Sequence, residues 1–516
     1  MPKRYPHLSL REDYRHNYLL CNQHRTESLV PVVRALTPAD PGHRVSASER
    51  SLTNQIVGTR NAAYRNDGED GPKYGKLHVP DLTGNSGGRY TDCPDAIVPQ
   101  CNVGRSCQPA LAEYDALCIG GRGRPEEIIM IRQFDSSYAG HIDLENVGYL
   151  GTPVNSRRYS NDELITAHHK AEAQAKAMDR LGYGAFWMAE HHFQPEGTEC
   201  LPNIIMLAVH LTHLTRRLKF HTGFNITPMW HPLRLAEDFA VADILTNGRV
   251  VFGVGRGYHT REVETFGSPL IDQAANRELF EEQVDIIFQA FNNESFSHKG
   301  KYYTLPPEVP YRGYTLKELT LVPRPKKLPV ECWQPIQSGS TRALDFMAKH
   351  GIQGVIGGGS AEGGATDRIM REWQAAHERI GMNLELGERM AVGFQFHIAK
   401  SKEAGMKEAA KYYEENMKMF GELRLVRALT DEQIEAMRDP RLVPNVKLPR
   451  IEDAVKAGGF LTGTPDDIIE QLKALEKRYP GLSRVTVAQP LGLPLSLCLE
   501  QLEWFAKDVM PAFKAA

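Results

Sequence analysis

A short apolar run in this 516-residue chain, Trp187-Met188-Ala189, ends abruptly in Glu190-His191-His192-Phe193. One acid and two imidazoles at the end of a buried-type strand can hold or exchange protons near neutral pH, where imidazole titrates. Neighbouring strand side chains point to opposite faces, so His191 and His192 are poorly placed to share one metal ion. One is expected to face a pocket, the other a helix or loop. Further on come His231-Pro232-Leu233-Arg234, Asn247-Gly248-Arg249 and Gly253-Val254-Gly255-Arg256-Gly257-Tyr258-His259. Glycines at a strand end let the backbone approach a ligand closely. The planar fork of Arg256 suits phosphate or a heteroaromatic edge; its ordinary alternative is an ion pair with an acid such as Glu262. Ser338-Gly339-Ser340-Thr341 opens a helix, where free N–H groups and short hydroxyls form an anion site; a simple N-cap by Ser340 is the plain alternative. In Gly223-Phe224-Asn225-Ile226, Asn225 is either a ligand contact or a turn former. Tyr258, His259 and the pair Asn276-Arg277 are candidates for the pocket mouth, with ordinary surface polarity the alternative for Arg277.

Alternating strands and helices are needed to position these groups. Ile128–Phe134 reads as a first strand. A helix follows from Asn161, with Ser160 and Glu163 in capping-box positions and Ala171, Ala175, Met178 and Leu181 on its inner stripe. Buried-type strands are expected at Ala185–Ala189, Leu218–Phe224, Val250–Val254, Val330–Gln334, Gln353–Ile356, Met390–Ile398 and Arg484–Ala488. Between them lie helices, one starting at Pro232 with Leu235, Phe239 and Ala242 on one face. Thr464-Pro465-Asp466-Asp467 caps another. Eight strands with intervening helices imply a (β/α)8 TIM barrel with insertions, whose site lies at the strands' C-terminal ends. The long irregular insertion at 292–329 is the expected lid, and 402–440 a helical excursion.

Residues 1–127 read differently, as a low-order extension ahead of a barrel domain at 128–516. Gly, Pro, Asn and Ser interrupt every apolar run there. Through Glu127 there are 13 Arg against 3 Lys; afterwards 25 Arg against 20 Lys. One reading makes Met130 the natural start, with the preceding residues translated from an upstream frame; the other is a loosely folded natural extension.

A net charge of -3, with 41% hydrophobic and 24% charged residues, is ordinary for a soluble enzyme and gives no reason to expect nucleic acid or a membrane surface. No apolar run approaches membrane-span length, and the first residues lack a secretory core, so a cytoplasmic protein is expected. The eight cysteines include no C-x-x-C pair, and H-E-x-x-H is absent; no metal is expected.

Taken in order and spacing, the E-H-H-F, H-P-L-R, N-G-R and G-V-G-R-G segments resemble the bacterial-luciferase-like flavin-dependent monooxygenases. The resemblance spans about 128–516 and implies a luciferase-like barrel that uses reduced FMN and O2 on a small, apolar organic substrate. It implies that His191 is the base or hydrogen-bond partner beside the flavin ring, with Glu190 and His192 orienting the site. The turn Ser338, Gly339, Ser340 and Thr341 would take the FMN phosphate, Arg256 would meet the phosphate or the flavin edge, and Asn225 would touch the flavin near a non-proline cis peptide. It further implies a separate NAD(P)H-dependent flavin reductase and a homodimer. A cysteine stands at the Gly255 position in the luciferase α chain, so that reactive thiol is missing here. A deazaflavin-dependent dehydrogenase on the same barrel and a non-catalytic flavin-binding subunit are the alternatives.

Overall fold

The computed structural model describes residues 131–513 except 338, 358–363 and 427. The expectations for 1–127, the proposed start at Met130 and the side chain of Ser338 lie outside the described residues.

Eight parallel strands close on themselves: β1 (Gln133–Tyr138), β2 (Ala185–Met188), β3 (Lys219–Thr222), β4 (Val250–Gly255), β5 (Cys332–Pro335), β6 (Gln353–Gly357), β7 (Met390–Ile398) and β8 (Arg484–Ala488). The register runs Ser136–Phe186, Phe186–Phe220, Phe220–Val250 and Phe252–Cys332, and closes through Arg484, which pairs with both Ala391 and Gln133. The main helices are α1 (Asn161–Leu181), α2 (Ile204–His213), α3 (Pro232–Leu245), α4 (Gln273–Asn292), α5 (Thr341–Lys349), α6 (Ala365–Glu378), α7 (Lys402–Glu422), α8 (Asp431–Arg438), α9 (Pro465–Arg478) and α10 (Leu495–Trp504). This is the (β/α)8 barrel expected from the alternation.

Alternation along each strand separates two cores. Phe186, Phe220, Phe252, Val485 and Val487 point outward and pack under the helices. Trp187, Val251, Trp333 and Ala391 point inward and form their own cluster. Polar groups join the inner layer. Trp187 Nε1 donates to Asp135 Oδ2 at 2.8 Å, its ring stacks on His221 at 4.1 Å, and the Arg484 guanidinium lies 4.8 Å from the Trp333 ring centroid. Burial and the neighbouring cations Arg484 and Lys219 push the His221 imidazole well below its usual pKa.

Local signals act as the chain chemistry dictates. Ser160 and Glu163 form a reciprocal capping box on α1, and Thr464 with Asp467 does the same on α9. Pro232 opens α3, where its missing N–H leaves no helical bond unmade. The first strand departs from expectation: Ile131 and Arg132 lie ahead of β1, which begins at Gln133, where pairing with Arg484 of β8 sets the register, and Ile131 instead donates its N–H to Glu476; residues 128–130 lie outside the described residues.

The insertion at 292–329 is not a lid over the site. Its short strands His298–Lys299 and Thr304–Leu305 form a hairpin pinned to α4, where Glu282 accepts the N–H groups of Lys301, Tyr302 and Tyr303. Farther along, Asp243 of α3 accepts the N–H groups of Lys326 and Lys327 at 2.6 and 3.2 Å. These bonds hold the segment along the outer helices, and none of its residues lines the main cavity. The excursion after β7 is tied down by a buried ion cluster. Glu415 of α7 pairs with Arg157, and with Lys418 at 2.9 Å, while Lys418 Nζ also donates to the carbonyls of Gly148 and Thr152.

Candidate active site

The C-terminal ends of β2 to β5 and the adjoining ends of α4 and α5 surround a cavity of about 480 Å³. His191, Arg256 and Tyr258 line it, with Glu190, Arg277, Gln334, Gln337 and the apolar Phe224, Ile226, Ile336, Leu344 and Met347. The peptide between Gly223 and Phe224, directly after β3, is cis.

His191 is buried, 3% exposed, and both ring nitrogens face acids. Nδ1 lies 3.3 Å from each carboxylate oxygen of Glu262. Nε2 lies 2.9 Å from the Tyr258 hydroxyl and 3.1 Å from Glu199 Oε1. Tyr258 donates its own proton to Glu199 Oε1 at 2.7 Å, and His259 Nε2 meets Glu199 Oε2 at 2.7 Å. Burial works to lower the His191 pKa, but the charges of Glu199 and Glu262, the Glu262 hydrogen bond and nearby Glu190 override it and raise the pKa. Glu262 moves the opposite way: burial is outweighed by His191, His259 and the amide of Gln194, so its carboxyl is held below the usual range. These surroundings favour the protonated ring more than water does. His191, Glu199, His259 and Glu262 bring ligand-type atoms within 4.8 Å of one another, a donor set a divalent cation could use. Hydrogen bonds within the group and from Gln194, Tyr258 and the His192 N–H already engage these atoms.

The neighbouring expected residues divide by face. His192 turns from the cavity, packs edge-on to Phe266 at 4.9 Å and contacts Glu190 Oε1 at 3.2 Å. Glu190 accepts from the N–H of Ile226 at 2.6 Å and from Trp230 Nε1 at 2.8 Å, so it anchors the chain leaving β3. Asn225 does not line the cavity. Its amide nitrogen donates to Thr222 Oγ1 at 2.9 Å and to the Gly253 carbonyl at 2.8 Å, while its Oδ1 is buried without a partner.

Arg256 does not pair with Glu262. Its Nε donates to Asn276 Oδ1 at 2.8 Å and another guanidinium nitrogen to the Gln273 carbonyl at 2.9 Å, which aims the group from β4 across the cavity. Burial, with Arg277 nearby, lowers its pKa to about 10. The glycines before it have a packing role: a Cβ on Gly253 would sit 2.0 Å from the Thr222 carbonyl oxygen, and one on Gly255 3.1 Å from Phe224 Cβ. The turn entering α5 borders the cavity, since Gln337 and Ala343 on either side line it. A Cβ on Gly339 would displace the Glu372 carboxylate, Ser340 is the N-cap residue and its Oγ is buried without a protein partner, and Thr341 is exposed.

Sequence reasoning did not single out Glu199 or assign Glu262 to His191. Glu262 falls three residues after His259 at the start of a one-turn helix, and Glu199 lies in a loop; neither stretch has a periodicity that reveals a partner.

Residues 146–480 match the luciferase-like monooxygenase family model. Among curated relatives, limonene 1,2-monooxygenase of Rhodococcus erythropolis is 21% identical over 69% of this chain and 84% of its own length. The oxygenase component of the flavin-dependent trigonelline monooxygenase of Acinetobacter baylyi is 24% identical over 65% of this chain and 87% of its own. An uncharacterized protein of Sinorhizobium fredii, y4vJ, is 31% identical over 26% of this chain, and that match spans only 37% of the relative's length. Solved structures share the fold at low identity. The oxygenating constituent of 3,6-diketocamphane monooxygenase of Pseudomonas putida, in complex with FMN, is 17% identical with a TM-score of 0.55, covering 74% of this chain and 98% of that one. An F420-dependent secondary alcohol dehydrogenase, in complex with an F420-acetone adduct, is 12% identical with a TM-score of 0.52, covering 75% and 100%. The chain belongs to the luciferase-like monooxygenase family, and its class is that of flavin-dependent oxidoreductases.

Proposed function

We propose that this protein binds reduced FMN in the main cavity and uses it with O2 to oxygenate a small, apolar organic molecule. The observation that carries the reading is the polarity of one cavity: a proton-bearing imidazole, His191, on one wall, and Arg256, Arg277 and the α5 entry turn on others. The residues fit a phosphorylated flavin. The Ser340 hydroxyl is buried without a protein partner at a helix N-terminus, where backbone N–H groups favour an anion. Arg256 and Arg277 add positive charge, and Phe224, Ile226, Ile336, Leu344 and Met347 offer apolar surface to a ring and a substrate. When bound, the flavin supplies the electrons for activating O2; the protein supplies position, proton control and exclusion of water.

In this reading Arg256, held by Asn276 and Gln273, and the turn residues Ser338, Gly339, Ser340 and Thr341 take the phosphate. Asn225 supports the cis-peptide loop against the ring. His191 donates a proton at the reacting end, and Tyr258 keeps a hydroxyl at the same wall. A relative named as an oxygenase component supports a separate reductase that supplies the reduced flavin; its use of NAD(P)H and a cytoplasmic setting are part of the proposal. A homodimer is proposed through the helices early in the barrel, where Met206 of α2 and Leu245 of α3 are exposed apolar side chains. Among the described residues, no helix is long and apolar enough to cross a membrane.

The deciding experiment titrates purified protein with FMN, reduced FMN and F420, followed by absorbance and fluorescence, and then measures O2 uptake with reduced FMN over a panel of terpenes, aldehydes and alkyl ketones. Substrate-dependent product formation with reduced FMN is expected. Preferential binding of F420, with hydride transfer to an alcohol or ketone and no oxygenation, would overturn the reading in favour of a deazaflavin dehydrogenase.

A further inference from the structure

The acid–imidazole network does not stop at the main cavity wall. His259 lines a second, smaller cavity of about 160 Å³ with Glu196, Arg261, Lys418, Met419 and Glu422. That cavity reaches the surface at Asn155 and Thr260, which line it and are exposed. Glu199 is buried and joins the residues of the two cavities; with His191 it also lines a third cavity of about 550 Å³ beside His168, Phe193 and Cys200. One of its oxygens faces His191 and Tyr258, the other faces His259, and the contacts measure 3.1, 2.7 and 2.7 Å. These are ordinary hydrogen-bond lengths, short enough for a proton to pass between adjacent groups.

We propose that Glu199 and His259 form a proton-uptake path that recharges the His191–Tyr258 pair from the second cavity, an inference that rests on the monooxygenase reading above. The chemistry requires such a supply. With the reduced cofactor as its monoanion, monooxygenation combines that anion, O2, one proton and a C–H substrate to give oxidised cofactor, hydroxylated substrate and water. The cofactor and the C–H bond each supply two electrons. One proton per turnover therefore enters a site built to exclude water.

The residues divide the task. The His191–Tyr258 pair gives its proton toward the main cavity. Glu199 takes a proton at Oε2 from the His259 imidazolium and, once turned, delivers it from that same oxygen to the His191–Tyr258 side. A half-turn of the carboxyl exchanges its two oxygens between these events, and His259 recovers its proton from water in the second cavity. The charged and titratable groups around the path have defined places, with His168 and Cys200 beside Glu199 in the third cavity and Arg158 3.6 Å from Glu196. Glu262 sits on the far ring nitrogen of His191, and Glu190 nearby anchors the loop. Glu196 is paired with Arg261 at 2.9 Å, and Lys418 and Glu422 line the outer cavity. Glu262 is thus the fixed orienting partner, and Glu199 is the carboxylate with a second imidazole behind it.

Two measurements on the full chain test the path. In stopped flow, protein loaded with reduced FMN is mixed with oxygenated buffer in H2O and D2O. The substitution His259→Gln keeps a polar group at the carboxylate but carries no exchangeable acid. It is expected to slow proton-dependent flavin reoxidation about tenfold or more, with a larger solvent isotope effect, and added imidazole should restore the rate in a saturable way without affecting the unsubstituted protein. An unchanged rate, or a slowed rate that imidazole fails to rescue, overturns the path. Independently of any cofactor, the 15N-imidazole resonances of His191 and His259 are followed by NMR against pH. Glu199→Gln is expected to shift the titrations of both rings; a shift in neither, or in only one, also overturns it. Coupled NMR titrations in a protein that fails to bind reduced FMN would sink the cofactor reading and leave the connected network standing.

Discussion

His191 Nδ1 is 3.3 Å from both carboxylate oxygens of Glu262, although 71 residues separate the two in the chain. The same carboxylate accepts the His192 N–H at 3.0 Å and the Gln194 amide at 2.8 Å, so it fixes the loop as well as the ring. A ring oriented through one nitrogen can present the other to chemistry, which is how an outer partner sets the tautomer and basicity of an imidazole.

Glu262→Gln should therefore move the pH dependence of turnover. The His191 pKa is raised in the folded protein, so its proton is retained above the usual imidazole value and lost as pH rises through the raised pKa. Removing the Glu262 charge draws that loss to lower pH. The expected result is an alkaline limb of the kcat/KM profile displaced toward acid, with substrate affinity at low pH largely kept; an unmoved limb would show that Glu262 serves loop structure alone.

Arg256→Ala should weaken FMN binding by about tenfold to a hundredfold, the usual effect of losing a charge-assisted hydrogen bond. Arg256→Lys should recover only part of this, because an ammonium cannot reproduce the fork. Asn276→Ala tests the support: it releases the Nε contact at 2.8 Å and should weaken binding without removing charge. Fluorescence titration at two salt concentrations measures all three.

Glu415→Gln should destabilise the barrel more than any surface charge substitution. Its carboxylate is buried between Arg157 and Lys418, and it also accepts the Gly148 N–H at 3.0 Å. Removing one member leaves buried cations uncompensated, at a cost of about 3–5 kcal/mol. Urea denaturation read by circular dichroism gives the difference, and a change below about 1 kcal/mol would contradict this account.

Stability should fall on mild acidification. Burial and Arg484 keep His221 neutral in the folded state, and burial with Lys170 does the same to His141; both pKa values are depressed. The unfolded chain takes up these protons first, so their contribution is present above the ordinary imidazole pKa of about 6.5 and is lost as pH falls below it toward the folded values. Thermal denaturation from pH 8 to pH 5 should show this decline, and His221→Gln should flatten part of it.

The elements legible in the sequence are those whose causes are local. A capping box joins residues three apart, and Ser160 with Glu163 starts α1 where it predicts. Continuous β-type runs mark Met390–Ile398 and Arg484–Ala488 as the strands they are. β1 was harder to place, because its start depends on pairing with β8, some 350 residues away. The insertion at 292–329 has the length and composition of a lid, yet hydrogen bonds to Glu282 and Asp243 lay it along α4 and α3.

From the chain alone came the barrel, the Glu190-His191-His192 strand end and the arginine after β4, since periodicity and residue type act over a few positions. Folding alone chose the company these groups keep. It set Glu262 against His191 rather than Arg256, gave Arg256 to Asn276 and Gln273, and carried Glu199 between two imidazoles. Such pairings follow from strand register and loop path, which are fixed by packing between distant segments and leave no periodic trace in the chain.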